Sequence, residues 1–190
     1  SIIILGLSIN WLAASLLAFT IFFYAVVYTM WLKRHTVQNI VIGGAAGAFP
    51  PIIGHICATG SVGVEALFLF LIIFLWTPPH FWALALVNKS DYRAANIPML
   101  PIIYGDMATR KNIFIYSLLL MPCGYLPWIL NYSGNFYVIV VTLLNIEFIR
   151  RAISVLKENK DSEKGLFVYS IFYLSILFAS ICFDKLISNL

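Results

Sequence analysis

The sequence predicts an all-α protein, a polytopic bundle of transmembrane helices. Of its 190 residues, 62% are hydrophobic and 11% are charged, and the mean hydropathy is +0.93. A typical soluble domain carries about 25% charged residues. The apolar residues fall into runs of about 20, the length that an α-helix needs to cross a bilayer. This composition excludes a water-soluble domain, and the modest net charge of +4 gives no case for binding nucleic acid.

The apolar runs predict six complete spans and one partial span. The chain begins at Ser1 inside an apolar run, so we expect residues 2–9 to be the tail of a helix whose beginning is missing. Asn10 and Trp11 are expected to form a turn at the membrane interface. The complete spans are expected over residues 12–32, 38–57, 63–87, 112–130, 136–156 and 166–186. Residues 1–190 would thus form a single transmembrane domain.

The positively charged residues predict the orientation of the bundle, because cytoplasmic loops are enriched in Lys and Arg. All of the 12 Lys and Arg residues except Lys185 lie in or beside alternate connections between the predicted spans. We therefore expect the loops over residues 33–39, 88–111 and 157–165 to share the cytoplasmic face. A site for a charged substrate group would open there.

Two of the predicted spans contain double prolines. The second span contains Gly43, Gly44 and Gly47, with small residues four apart, a spacing that lets helices pack closely, and then Pro50-Pro51. The third span contains Pro78-Pro79. Prolines inside membrane helices free backbone carbonyls and kink the helix. Two broken helices in one bundle predict a lined pocket.

Ionisable residues cluster after the third span. Asp91 is followed by Tyr92 and lies between Lys89 and Arg93. The two cations could simply fix the orientation of the protein. Acidic residues contribute little to that bias, however, and a carboxylate could hold a hard metal ion that in turn holds a phosphate.

Two further positions have a structural and a functional interpretation. Lys33 and Arg34 follow the first complete span, where they could anchor the helix in anionic headgroups or bind a diphosphate. His80 could satisfy carbonyls freed by the two prolines before it, or belong to a site. The aromatic side chains of Phe74, Trp76, Phe81, Trp82 and Tyr92 could form a wall that excludes water from a reaction, although packing is the alternative for each.

Three runs of the sequence resemble the protoheme IX farnesyltransferase (heme O synthase) branch of the UbiA-type intramembrane prenyltransferases. They are YTMWLKRHTVQNIVIGGAAGAFPPIIG (residues 28–54), FLWTPPHFWALAL (residues 74–86) and DYRAANIPMLPIIYG (residues 91–105). The resemblance implies a bundle of nine transmembrane helices, of which this chain would be the carboxy-terminal two-thirds. It also implies transfer of a farnesyl group from farnesyl diphosphate to a vinyl group of heme B, giving heme O.

The resemblance implies roles for the polar residues identified above. It assigns Asp91 to Mg²⁺, His80 to contact with heme as a propionate donor or iron ligand, and Asp91, Lys33 and Arg34 to catalysis. The residues implied to bind substrate are Lys33, Arg34, Asn39, Lys89, Tyr92 and Arg93. Related quinone enzymes carry a second Asp four positions after the first, whereas this chain has Ala95. The first acidic motif, NxxxDxxxD, is absent and would lie upstream of Ser1, so we expect the fragment alone to turn over little or not at all.

The resemblance also implies surroundings and partners. The protein would lie in a bacterial inner membrane, or in the mitochondrial inner membrane if it is eukaryotic, with the lipid bilayer, farnesyl diphosphate, heme B and heme A synthase or oxidase assembly factors as partners. Two alternatives stay open at this point. One is a UbiA-type prenyltransferase that acts on an aromatic quinone precursor, and the other is a membrane transport or assembly subunit without enzymatic activity.

Overall fold

The structure is a computed structural model that describes residues 1–188. In this part of the chain the regular elements are helices, with no strand. Five helical segments of the described chain are long and apolar enough to cross a membrane: Trp11–His35, Asn39–Thr59, Val64–Val87, Asp106–Ile129 and Ser162–Ile187. The protein is therefore a multi-pass integral membrane protein, and the predicted all-α fold class is confirmed.

The helices follow one another with short connections. Their bounds are α1 (Ile2–Ser8), α2 (Trp11–Phe22), a π-helical segment (Phe23–Leu32), α3 (Lys33–His35), α4 (Asn39–Ala48), α5 (Pro50–Thr59), α6 (Val64–Val87), α7 (Lys89–Ala94), α8 (Leu100–Ile103), α9 (Asp106–Gly124), α10 (Leu126–Ile129), α11 (Asn135–Leu156) and α12 (Ser162–Ser188). The first long segment continues from α2 through the π-helical segment into α3.

The predicted number of complete spans is one higher than the five found among residues 1–188. The fifth predicted span corresponds to α11, which has 22 residues but contains Glu147, Arg150 and Arg151. These three residues form a local ion network, in which the Nε atoms of both arginines lie 2.6 Å from the Glu147 carboxylate. Helix α11 packs against α9 and α12. Helix α11 is therefore long enough to cross a membrane, but its three charged residues make it less apolar than the five segments named above.

The fourth span begins earlier than predicted. Helix α9 starts at Asp106, whereas the apolar run suggested residue 112. A carboxylate in the first turn of a helix interacts favourably with the helix dipole, and Gly105 just before it has a left-handed φ of 84°. The polar connection after α6 also contains two short helices, α7 and α8. Hydropathy marks the part of a helix inside the membrane and misses such polar first turns.

Helix α6 lies at the centre of the bundle, where it packs against α4, α9 and α12. It continues through Pro78-Pro79 without interruption, so the predicted break there is wrong. Packing from three neighbouring helices holds the segment in place, and the Thr77 hydroxyl donates to the Ile73 carbonyl (2.7 Å). The break at Pro50-Pro51 is confirmed: α4 ends at Ala48, and the two prolines begin α5, where missing N–H groups cost nothing.

Hydrogen bonds join α9, α11 and α12 inside the bundle. At the end of α9, the Gly124 carbonyl accepts from the Tyr137 hydroxyl (2.7 Å), and the Met121 carbonyl accepts from the Asn145 amide (3.1 Å). The Tyr173 hydroxyl of α12 in turn donates to the Asn145 side-chain oxygen (2.9 Å). These side chains satisfy carbonyls at the end of a helix, where intrahelical partners are missing.

The connections that carry positive charge meet at one end of the bundle. Arg110, near the start of α9, is 14% exposed and pairs with Glu158 and Glu163, each at 2.8 Å. The two acids belong to the connection between α11 and α12 and to the start of α12. The loops over residues 88–111 and 157–165 therefore share one end, as the sequence predicts.

Candidate active site

A cavity of about 510 Å³ lies between the π-helical segment, α3, α4, α6, α7 and α12. Its volume falls within the range of small-molecule sites, roughly 300 to 1,000 Å³. We call it the aromatic cavity. Its lining includes Tyr24, Tyr28, Lys33, Gly43, Gly44, Gly47, Ile73, Trp76, Thr77, Phe81, Tyr92 and Leu174.

The polar part of the aromatic cavity combines two loops that are distant in sequence. Lys33, at the end of the first long segment, and Tyr92, on α7, both line it. Burial raises the pKa of Tyr92, and the negative charge of Asp91 raises it further. The Tyr92 hydroxyl therefore stays protonated near neutral pH and can donate a hydrogen bond. An ammonium group and a hydroxyl donor together suit an anionic ligand.

Glycines of α4 let aromatic side chains approach its backbone. The Tyr28 ring lies so close to Gly43 that a Cβ atom there would clash with it, and a Cβ at Gly44 would come within 2.9 Å of Thr77 Cγ2. Close packing, the interpretation favoured by the sequence, is confirmed at these two glycines. A Cβ at Gly47, by contrast, would meet no atom within 4 Å, because this glycine faces the cavity.

The aromatic wall differs in part from the predicted one. Trp76, Phe81 and Tyr92 line the cavity, but Trp82 packs in the core against Tyr116, with ring centroids 5.2 Å apart. Phe74 packs against Phe70 instead of lining the cavity. Tyr24 and Tyr28, whose rings lie 5.6 Å apart, also line the cavity and were not predicted from the sequence. Their spacing of four residues, directly before the Lys33-Arg34 pair, is the signal that could have found them.

Several predicted site residues lie outside the cavity lining. Arg34 and Arg93 are exposed, and Asp91 is also exposed, with the Ser90 hydroxyl 3.3 Å from its carboxylate. Lys89 is paired with Asp106 at 2.5 Å, so its ion-pair partner is not Asp91. Of the predicted cluster, the structure brings Lys33 and Tyr92 together at the cavity and leaves the other ionisable residues outside its lining.

The Asn39 side chain contacts the backbone of Lys33 at the polar end of the aromatic cavity. This side chain is buried, and the amide nitrogen donates to the Lys33 carbonyl (3.2 Å). The amide oxygen is buried and has no hydrogen-bond partner in the described part of the chain. Asn39 thus holds the backbone of the residue that carries the cation.

The described residues do not make up a Mg²⁺ site by themselves. No group of three or more His, Cys, Asp or Glu side chains gathers among residues 1–188 in a way that could hold a metal ion. Asp91 offers a single carboxylate outside the cavity lining. Mg²⁺ demands a near-octahedral shell of oxygen ligands, which one carboxylate cannot complete.

A second cavity, of about 420 Å³, adjoins the first between α6 and α12. We call it the histidine cavity, and its lining residues are Ile73, Trp76, His80, Ile171, Leu174, Ser175 and Phe178. Ile73, Trp76 and Leu174 line both cavities, so a thin layer of side chains separates them.

His80 is held tightly in the wall of the histidine cavity. The side chain is 8% exposed and stacks between Trp76 (4.4 Å between ring centroids) and Phe167 (4.7 Å). Its Nδ1 atom lies 2.6 Å from the hydroxyl oxygen of Ser170 on α12. The suggestion that His80 satisfies helix carbonyls freed by the prolines is wrong, since its hydrogen-bond partner is this hydroxyl.

The fold and the two cavities define a class: an intramembrane helical bundle with an aromatic, apolar interior that ends in a cation and a hydroxyl. The chain belongs to the UbiA prenyltransferase family, whose model matches residues 1–177. No solved structure matches the chain.

Curated relatives agree with this assignment. The chain is 55% identical over 194 residues to protoheme IX farnesyltransferase 2 of Mesorhizobium japonicum. The aligned region covers 100% of the chain and 62% of that relative. The chain is 56% identical to protoheme IX farnesyltransferase 1 of the same organism and 52% identical to protoheme IX farnesyltransferase of Brucella ovis, in each case over 98% of the chain and 61% of the relative. The chain therefore spans about 62% of the length of the curated relatives it matches.

Proposed function

We propose that this protein transfers a farnesyl group from farnesyl diphosphate to a vinyl group of heme B and so produces heme O. The names of the curated relatives support the reaction. The observation that carries the proposal is the pair of adjoining cavities, one ending in Lys33 and Tyr92 and the other containing His80. A reaction between two large apolar substrates needs two such spaces side by side.

In the proposed reaction the bond between the allylic carbon and the diphosphate oxygen breaks, and the diphosphate leaves with the electron pair. The terminal vinyl carbon of heme B then attacks the allylic carbon and forms the new carbon–carbon bond. Water adds to the cation that results beside the porphyrin ring and loses a proton, which leaves the hydroxyl group of heme O. Negative charge grows on the leaving group, and positive charge grows on carbon.

Residues that line the aromatic cavity would stabilise both the negative charge on the leaving diphosphate and the positive charge on carbon. The Lys33 ammonium and the Tyr92 hydroxyl would stabilise the departing diphosphate, an interaction that strengthens as the bond breaks. Tyr24, Tyr28, Trp76 and Phe81 would exclude water and place π faces near the cationic carbon. No protein nucleophile is required for this reaction.

The predicted residues outside the cavity lining take more peripheral roles in the proposal. Arg34 and Arg93 would attract the diphosphate electrostatically, Lys89 would act as part of its pair with Asp106, and Asn39 would hold Lys33 in place. Mg²⁺ remains a prediction from the resemblance. Asp91 is the carboxylate that would hold it, together with oxygens of the diphosphate and water.

We propose that heme B occupies the histidine cavity, with His80 as its contact. We further propose that the connections at residues 33–39, 88–111 and 157–165 face the cytoplasm across a bacterial inner membrane, since they carry most of the positive charge. The product would then pass to heme A synthase or to oxidase assembly factors.

The test is a competition between acceptors. The chain is joined to an amino-terminal segment that carries an NxxxDxxxD motif and is placed in lipid nanodiscs. It is given farnesyl diphosphate with heme B, with 4-hydroxybenzoate, or with both, and the products are separated and identified by mass spectrometry. We expect heme O and no prenylated benzoate, and we expect Lys33→Met to abolish heme O formation. Prenylated 4-hydroxybenzoate without heme O would overturn the proposal in favour of a quinone-precursor prenyltransferase.

A further inference from the structure

Ser170 forms hydrogen bonds with two aromatic side chains of α6, those of Trp76 and His80. This serine lies on α12 and is 0% exposed. Its backbone carbonyl accepts a hydrogen bond from the Trp76 indole N–H (2.8 Å), and its hydroxyl oxygen lies 2.6 Å from His80 Nδ1. One residue of α12 therefore holds two side chains of α6.

The hydrogen bonds of Ser170 decide where the proton of His80 lies. A serine hydroxyl has one proton, and Ser170 donates it to the Phe167 carbonyl (2.6 Å). The same oxygen can then only accept from His80, so the imidazole must donate through Nδ1–H. In the neutral ring, Nε2 is left with a lone pair and without a proton.

Neighbouring aromatic rings cover the faces of the His80 ring and leave its edge accessible. Trp76 and Phe167 cover its two faces, and Phe81 packs against it edge-on at 5.0 Å. His80 still lines the histidine cavity, and its Nε2 has no hydrogen-bond partner among residues 1–188. Stacking on both faces hinders the rotation that would exchange the two ring nitrogens.

We infer that Ser170 is a positioning residue that fixes His80 as the Nδ1–H tautomer and so presents Nε2 as a Lewis base to an iron porphyrin in the histidine cavity. A histidine that ligates a metal commonly donates its other ring N–H to an acceptor, which sets the tautomer and the ring orientation. The identity of the ligand rests on the proposed function, whereas the tautomer rests on the hydrogen bonds alone.

The first test measures the tautomer without substrate. Protein labelled with ¹⁵N-histidine is placed in nanodiscs, and the His80 ring signals are assigned by their loss in His80→Gln; the chain has only two other histidines. We expect the Nδ1–H tautomer in the unmodified protein and in Ser170→Thr, and loss of that single state in Ser170→Ala. A proton on Nε2 in the unmodified protein, or the same tautomer in Ser170→Ala, would overturn the inference.

The second test adds hemin and follows its Soret band. We expect Ser170→Ala to weaken hemin binding by about 10- to 100-fold, the usual effect of removing an outer partner of a metal ligand, and Ser170→Thr to restore it. Ser180→Ala is the matched control, because this serine is also buried on α12 and donates to the carbonyl three residues before it, that of Leu177, but does not line the cavity. An equal loss in both alanine variants would overturn the positioning role.

The two tests separate this inference from the proposed function. If His80 holds the Nδ1–H tautomer through Ser170 but hemin does not bind, heme is the wrong ligand and the tautomer assignment stands. If His80 carries its proton on Nε2, the inference is wrong whether or not the protein makes heme O.

Discussion

Lys33 and Arg34 are neighbours in sequence but have different surroundings. Lys33 lines the aromatic cavity, whereas Arg34 is exposed. Successive residues of a helix point about 100° apart, so a cavity on one side of the helix takes only one of the two side chains. The sequence predicted a basic pair that binds diphosphate together, and the structure gives the two cations unequal positions.

We therefore predict unequal effects of removing these two charges. Lys33→Met should weaken binding of a thiodiphosphate analogue of farnesyl diphosphate by about 10- to 100-fold, because a charged hydrogen bond is worth about 1.5 to 3 kcal/mol. Arg34→Gln, the control, should leave the affinity at physiological salt nearly unchanged and slow association only at low salt. Isothermal titration calorimetry measures both affinities. An equal or larger loss in Arg34→Gln would show that the pair acts together.

The hydrogen-bond partner of His80 and the ion-pair partner of Lys89 could not be predicted from the sequence. His80 stood out because it follows two prolines in an apolar run. Its partner Ser170 lies 90 residues further on, in a helix with several other serines. Similarly, Lys89 pairs with Asp106 and not with the nearby Asp91. Partners that depend on tertiary packing leave no local pattern in the sequence.

Among the helices, Gly43 of α4 packs closely against the Tyr28 ring of the π-helical segment. Ten residues, Phe23–Leu32, adopt the π-helical form, which carries Tyr24 and Tyr28 to the cavity wall. No sequence pattern predicted this segment, because its hydropathy is that of any membrane helix. The glycines of α4 were recognised, and their role in close packing follows from the absent side chain.

We predict that Gly43→Ala destabilises the protein by about 1 to 3 kcal/mol, the usual cost of overpacking a filled space, since the added methyl group would displace the Tyr28 ring. Gly54→Ala is the control, because no atom lies within 4 Å of a Cβ at that position. Thermal unfolding in detergent, followed by circular dichroism, compares the two variants. If Gly43→Ala unfolds at the same temperature as the unmodified protein, the tight contact between Tyr28 and α4 is wrong.

Hydropathy predicted the bounds of two long helices to within one residue. Residues 63–87 were predicted for α6, which spans Val64–Val87, and residues 136–156 for α11, which spans Asn135–Leu156. The start of α9 was missed because its first turns are polar. The continuity of α6 through Pro78-Pro79 was missed because packing by three neighbours, rather than local sequence, decides whether such a helix breaks.

At the scale of the whole molecule, polar chemistry collects at one end of the bundle. Arg110 joins the start of α9 to Glu158 and Glu163, while Lys33 and Tyr92 meet at the aromatic cavity. Charge patterning along the chain predicted this sorting, because alternate connections of a helical bundle must lie on the same side. The shape and lining of the cavities, by contrast, depend on how six separate segments pack.

We predict that the charged end faces the cytoplasm. With the native cysteines replaced by alanine, Ser61→Cys lies in the uncharged connection before α6, and Asn159→Cys lies in the charged connection before α12; both positions are exposed. A membrane-impermeant maleimide should label Ser61→Cys in intact bacterial cells and Asn159→Cys only after the membrane is opened. Labelling of Asn159→Cys in intact cells would reverse the orientation.

The proposed function requires the aromatic cavity to hold a prenyl diphosphate with its head at Lys33. This placement can be measured by photo-crosslinking with a farnesyl diphosphate analogue that carries a diazirine on its isoprenoid tail, followed by peptide mass spectrometry. We expect labelled peptides that contain Tyr24, Tyr28 or Phe81, protection by unlabelled farnesyl diphosphate, and loss of labelling in Lys33→Met. Protected labelling confined to Ile171 and Phe178 of the histidine cavity, unaffected by Lys33→Met, would contradict this placement of the substrate.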